Sequence, residues 1–158
     1  MNQGAWIYVF LFAWLTISLV TAQAKPDLVL GAGMLSLPEG VLLDPNSDAL
    51  NVVDTGNSRI LRFDDRASLS ASSVPSLIIG QRTLNSTALN AGRNTSALGL
   101  AQPGGACMDG LGGLWVADSL NNRVMLFVGV ANSTVSGITA VLQLGQPTFQ
   151  TSRANQGG

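Results

Sequence analysis

From residue 37 onward the apolar residues fall in short runs broken by turn-formers. The first set is Gly40–Leu43, Leu50–Val53, Ile60–Phe63 and Leu77–Ile79; the second is Gly105–Met108, Leu114–Ala117, Val124–Phe127 and about Ala140–Leu144. Between them lie DPNSD, DTGNS and SASSVPS in the first set, and DGLGG, DSLNN and ANSTVSG in the second. Short runs at regular spacing, separated by Gly, Asn, Asp and Ser, predict an all-β antiparallel meander in two four-stranded groups.

The two groups are copies of one another. LNVVDTGNSRILRF (Leu50–Phe63) matches LWVADSLNNRVMLF (Leu114–Phe127), and LPEGVLLD (Leu37–Asp44) matches QPGGACMD (Gln102–Asp109). LVLG (Leu28–Gly31), LIIG (Leu77–Gly80) and LQLG (Leu142–Gly145) form a third series, the last two continuing into Gln81 and Gln146. Gly31 to Gly80 spans 49 positions and Gly80 to Gly145 spans 65, a difference of 16. The step from Gly31 to Pro38 is 7 and that from Gly80 to Pro103 is 23, again 16 apart. One insertion within Gln81–Gln102 therefore accounts for the irregularity, with repeat copies at about 37–80 and 102–145. A period of about 49 residues with four strands per unit is that of a propeller blade.

Each copy writes an Asp, a tight turn and an Arg. Asp54 and Asp118 end a strand, where a carboxylate can accept N–H groups freed by the reversing chain. Gly56 and Asn57, like Asn121 and Asn122, suit positions of positive φ. Arg59 and Arg123 open the next strand, where each guanidinium can pair with a carboxylate of its own or a neighbouring unit. A motif that recurs once per unit predicts a structural ion pair.

At these residues the chain resembles the NHL-repeat family. Pro38, Gly40, Asp44, Val53, Asp54, Asn57, Arg59, Ile60 and Phe63 carry the first copy. Pro103, Gly105, Asp109, Trp115, Val116, Asp118, Asn121, Asn122, Arg123, Val124 and Phe127 carry the second, which is the better match. The first copy has Ser58 where the family has a second Asn and Asn51 where it commonly has an aromatic. The resemblance implies a propeller, often of six blades, used as a rigid interaction platform. The chain holds two full units and an outer strand at Leu28–Leu30, so it is expected to be two four-stranded blades of an incomplete NHL-type β-propeller. Its terminal GQPTFQTSRANQGG resembles GQRTLNSTALNAGR, the start of a further unit. A fragment of a longer chain is expected, or else a short form that self-associates through open blade edges.

The first 24 residues are different in kind. Ala5–Val20 is uncharged and apolar, and Ala22 and Ala24 form a small-residue cleavage site before Lys25. This reads as a signal peptide over 1–24, with 25–158 the mature chain and no membrane association after cleavage. The alternative is an uncleaved N-terminal anchor. Secretion makes Asn85, Asn94 and Asn132 legible as N-glycosylation candidates, each in an N-x-S/T triplet without proline. Two of the three lie in the insertion.

Charge and composition narrow the chemistry. Eight basic against nine acidic residues and a pI near 5.0 offer no basic field for nucleic acid. The absence of histidine removes Ser-His-Asp chemistry and the histidine-bound metal of the lyases related to propellers. Asp44, Asp48, Asp54, Asp64, Asp65, Asp109 and Asp118 lack a dense calcium-loop spacing and read as turn and ion-pair residues. Gly31–Gly33 lacks the following helix of a dinucleotide loop. Cys107, the single cysteine, is expected as a buried structural thiol, and Trp115 as a core aromatic. No catalytic, cofactor or metal residue is assigned. The expectation is a secreted module, not an enzyme, that contacts an unknown protein or glycan through its loops. The alternative is part of a propeller lyase or esterase whose active-site residues lie in missing blades.

Overall fold

The computed structural model describes residues 33–133 and 135–155. The signal-peptide expectation and the Leu28–Leu30 strand fall outside these residues, as does Thr134 of the third N-x-S/T triplet. Among the described residues no helix is long and apolar enough to cross a membrane.

The fold is all-β. Strands β1 (Pro38–Leu43), β2 (Leu50–Asp54), β3 (Arg59–Phe63) and β4 (Leu77–Ile79) form one sheet, in that order. Strands β5 (Pro103–Met108), β6 (Leu114–Asp118), β7 (Arg123–Phe127) and β8 (Leu142–Leu144) form the second. All pairs are antiparallel, and neither sheet closes on itself. The apolar runs locate every strand within about two residues. They stop short at Asp54, Arg59, Asp118 and Arg123, because those charged residues are strand positions paired directly across the hairpin. In each sheet the first strand is irregular, its register shifting between Pro38 and Gly40 and between Pro103 and Gly105. A proline that opens a strand has no N–H to give the ladder, and the preceding Leu37 and Gln102 both sit at φ of 46°.

The period-two alternation of side chains sorts each sheet into two faces. One face of the first sheet carries Val53, Ile60, Leu77 and Ile79, and it packs on Leu114, Val116, Met125 and Phe127 of the second. Leu100, Val130 and Ala140 complete this core. The other face of the first sheet carries Val52, Leu61, Phe63 and Ile78, flanked by Met34, Leu50, Leu69 and Leu84. The strand edges are treated differently. β4 is covered: the Ile78 N–H donates to Ser136 Oγ, the Gly137 N–H donates to the Ile78 carbonyl, and Gly80 bridges Gly99. Leu142 and Leu144 of β8 are exposed.

The segment 81–102, which holds the insertion, is more than a surface loop. It delivers Leu100, fully buried, into the core between the sheets. Gly99 passes so close to the Asn90 backbone that a Cβ there would lie 2.5 Å from its carbonyl carbon. Only glycine permits that approach.

Two single-residue expectations are overturned. Cys107 is exposed, not buried, and Trp115 is half-buried on the outward face of the second sheet, not in the core. Both follow from one cause: on the repeat-equivalent face of the first sheet these positions are covered by the second sheet, and here nothing among the described residues covers them.

Replacing Leu100 by Ala is expected to lower the unfolding free energy by about 2–5 kcal/mol, the range for a buried aliphatic truncation. A urea-denaturation midpoint indistinguishable from the parent would show that the insertion does not contribute to the core.

Candidate functional site

The repeated Asp and Arg meet in both sheets. Arg59 Nε donates to Asp54 Oδ2 and Arg123 Nε to Asp118 Oδ2, each at 2.7 Å. All four side chains are between 0 and 2% exposed. Of the two partners the sequence left open, a carboxylate of the same unit or of a neighbouring one, each arginine takes the first. The carboxylates take other donors than the sequence suggested. Asp54 Oδ1 accepts the Ser36 N–H at 2.7 Å and Asp118 Oδ1 the Ala101 N–H at 2.6 Å. These donors belong to the segment leading into each sheet, not to the reversing turn.

The turns differ in part: Asn122 is at positive φ as expected, whereas Gly56, Asn57 and Asn121 are not. After the 3₁₀ turns Thr55–Asn57 and Ser119–Asn121, the left-handed residues are Ser58 and Asn122, at φ of 54° and 53°. Asn57 and Asn121 instead spend their side chains on the carboxylates: Asn57 Nδ2 reaches Asp54 Oδ2 at 2.9 Å, and Asn121 Nδ2 reaches Asp118 Oδ2 at 2.8 Å. Gly56 is not at positive φ. A Cβ there would lie 2.4 Å from Ser36 Oγ, so glycine serves a close approach.

The rest of each guanidinium holds loops. Arg59 Nη2 donates to the Met34 carbonyl at 2.8 Å, and Nη1 donates to the Leu84 carbonyl. Arg123 Nη2 donates to Ser96 and Gly99 at 2.8 and 3.1 Å, and Nη1 to Phe149 at 2.9 Å. One arginine per sheet thus ties the segment before the sheet to the segment after it. A glutamine reinforces the second tie. Gln81 Nε2 donates to Asn57 and Ala88 carbonyls at 3.1 and 2.8 Å, and Gln146 Nε2 to Asn122 and Arg153 at 3.1 and 2.7 Å. The repeated Gly-Gln was visible in the sequence, but its partners lie 7 to 24 residues away and no local pattern names them.

A third buried arginine is not repeated. Arg62 Nε donates to Asp64 at 2.7 Å, and Nη1 lies 3.0 Å from Asp44 Oδ2, a contact of opposite charges without hydrogen-bond alignment. Burial pushes the Asp44 carboxyl up, but the Asn46 amide, Arg62 and Ser47 together hold it below the usual range. In the second sheet Leu126 replaces Arg62, and Asp109 is occupied by the Gly113 and Leu111 amides and the Trp115 indole N–H. The Gly113 amide and the indole, in that order, lower its pKa.

Two solvent-open hollows flank the tied loops. One, of about 470 Å³, is lined by Met34, Ser36, Asn57, Arg59, Asn85 and Thr87 among others. The other, of about 580 Å³, is lined by Arg82, Arg93, Asn94, Thr95 and Ser96. Asn85 and Asn94 are exposed there; Asn132 is exposed elsewhere, in the 3₁₀ turn Val130–Asn132. Arg82 and Arg93 are exposed and form no ion pair among the described residues. The aspartates do not converge: among the described residues no group of three metal-ligating side chains is present. No family model matches this chain, and no curated protein matches it.

Asp118→Ala leaves Arg123 charged and buried, and is expected to cost about 3–5 kcal/mol. Asp48→Ala, which breaks the half-exposed pair with Arg66 at 2.7 Å, is expected to cost at most about 1 kcal/mol. Equal urea midpoints for the two variants would refute the clamp as a stability determinant. Asp109 supplies a pH test. Its folded pKa is depressed, so its contribution is complete above the unfolded carboxylate range and is lost as pH falls through the lower folded value. The Trp115 indole N–H resonance should therefore titrate below the usual carboxylate range, and Asp109→Asn should abolish that titration. A midpoint at the ordinary aspartate value would count against the hydrogen bonds.

Proposed function

We propose that the chain carries two blades of an NHL-type β-propeller and acts as a rigid interaction module of the secretory pathway, binding a protein or glycan through its loops. The observation that carries this reading is the double tie made by each arginine. Carbonyls before and after each sheet are held by one guanidinium, so the loops on that edge are presented in a set conformation. Pre-ordered loops on a sheet framework lose little entropy on binding, which suits recognition. The adjoining hollows are polar, and Arg82 and Arg93 offer free donors to carboxylate or hydroxyl groups of a ligand. Asn85, Asn94 and Asn132 are the candidate glycan acceptors, with Asn85 and Asn94 on the same edge.

The test uses an array of immobilised glycans and a display of extracellular proteins, probed with the parent and with the Arg82→Ala/Arg93→Ala double variant. Hits lost by at least about tenfold in the variant, one desolvated charge-assisted contact being worth that much, support the reading. Hits of equal strength for both place recognition away from this edge, and an absence of hits removes the binding-module reading.

A further inference from the structure

Between Arg66 and Asp109 the only charged residues are Arg82 and Arg93, both in the segment that holds the insertion. They line one hollow of about 580 Å³, whose remaining walls are Asn94, Thr95 and Ser96. All five side chains can donate hydrogen bonds, and none of them is a carboxylate. Arg59, Arg62, Arg66 and Arg123 are spent on aspartates, whereas Arg82 and Arg93 form no ion pair among the described residues. In the other Gly-Gln copy Pro147 stands where Arg82 does, so the pair of cations is not a feature of the repeat.

The chain reaches Arg93 through a strained turn. Asn90, Ala91 and Gly92 are left-handed in succession, at φ of 54°, 56° and 72°. Glycine takes this conformation freely, but for alanine it is costly. Such strain persists where the surroundings over-determine it, and it concentrates at binding sites. Here the Asn90 N–H donates to the Leu100 carbonyl at 2.8 Å. Asn90 Oδ1 accepts from Asn121 Nδ2, also at 2.8 Å, and the same amide holds Asp118. The Arg93 N–H donates to the Asn90 carbonyl at 3.1 Å, and Arg93 leaves the turn extended. The Arg123 guanidinium fixes the Ser96 carbonyl, and Arg82 follows the buried Gln81. The hollow is therefore framed by backbone that is tied on both sides.

We infer that this hollow binds a tetrahedral oxyanion, a sulfate or phosphate monoester carried by a saccharide. One arginine satisfies a carboxylate in a bidentate pair. Two guanidiniums, two hydroxyls and an amide supply donors for the three free oxygens of a monoester. Two cations are too few for a nucleic acid, which is held by roughly 6–10 phosphate contacts. The inference rests on the loop-binding reading and replaces the carboxylate considered there by a group with more acceptor oxygens.

Chemical protection tests the site without a variant. The unglycosylated full chain is treated with an arginine-directed dicarbonyl at fixed ionic strength, and the rate at each arginine is followed by peptide mass mapping. Arg153, exposed and without an ion pair among the described residues, is the internal control. Sulfated or phosphorylated N-acetylglucosamine is expected to slow Arg82 and Arg93 with one shared half-protecting concentration. The slowing should reach about tenfold when the ligand stands tenfold above that concentration, with Arg153 unmoved. The unsubstituted sugar and glucuronate should protect neither. Inorganic sulfate and phosphate separate the sources. If they need much higher concentrations than the esters, the oxyanion is saccharide-borne; if equal ones suffice, it is a free anion, and either result keeps the oxyanion site. Equal slowing of Arg153, or different half-protecting concentrations at Arg82 and Arg93, overturns the inference. So does an absence of protection, or equal protection by the unsubstituted sugar or glucuronate. Array hits lost in the Arg82→Ala/Arg93→Ala variant without such protection remove this inference and leave the loop-binding reading standing. Protection without array hits does the reverse.

Discussion

A carboxylate held out of water between two strands needs its charge answered on the spot, and in both sheets it is answered by the arginine directly across the hairpin. Asp54 and Asp118 each collect a guanidinium, an asparagine amide and a backbone N–H. The guanidinium has donors left over after the pair is made, and burial forbids leaving them bare. Backbone carbonyls from the flanking loops satisfy them. The ion pair is therefore less a source of net stability than a geometric instruction. It converts the cost of two buried charges into a defined path for the chain on either side of the sheet.

Stacking is the second consequence. Thr55 Oγ1 in the first turn donates to the Pro103 carbonyl at 2.7 Å, and the Gln102 N–H donates to Ser58 Oγ at 3.3 Å. The first turn is thereby attached to the opening of the second sheet, which sets the apolar faces against one another. Leu100 then fills the space between them from the connecting segment. The insertion lengthens the connection without weakening it, since its 3₁₀ turn returns through the hydrogen bond from the Asn90 N–H to the Leu100 carbonyl at 2.8 Å. Among the described residues Asn51 is buried with neither its amide nitrogen nor its amide oxygen meeting a hydrogen-bond partner, and nothing in the structure explains it.

The candidate site was legible where its chemistry repeats. Asp54, Arg59, Asp118 and Arg123 stand out because two copies align them, and charged residues in so sparingly charged a chain draw a structural reading. Asn57 and Asn121 were visible but assigned to backbone strain, since tolerance of positive φ and amide hydrogen bonding belong to the same side chain. In the first turn the neighbour Ser58 bears the strain instead, while in the second Asn122 bears it as expected. Gln81 and Gln146 were visible as a repeat and silent as to role.

The sequence by itself determined the strands, where the turns fall, their division into two four-stranded units and the structural role of the repeated Asp and Arg. These are short-range properties, written in side-chain alternation and in residues five positions apart. Tertiary structure alone decided which faces are covered, which loops each guanidinium holds and where Cys107 and Trp115 stand. Alternation states that two residues share a face, but burial depends on whether another sheet arrives there. That is settled by packing between segments far apart in the chain.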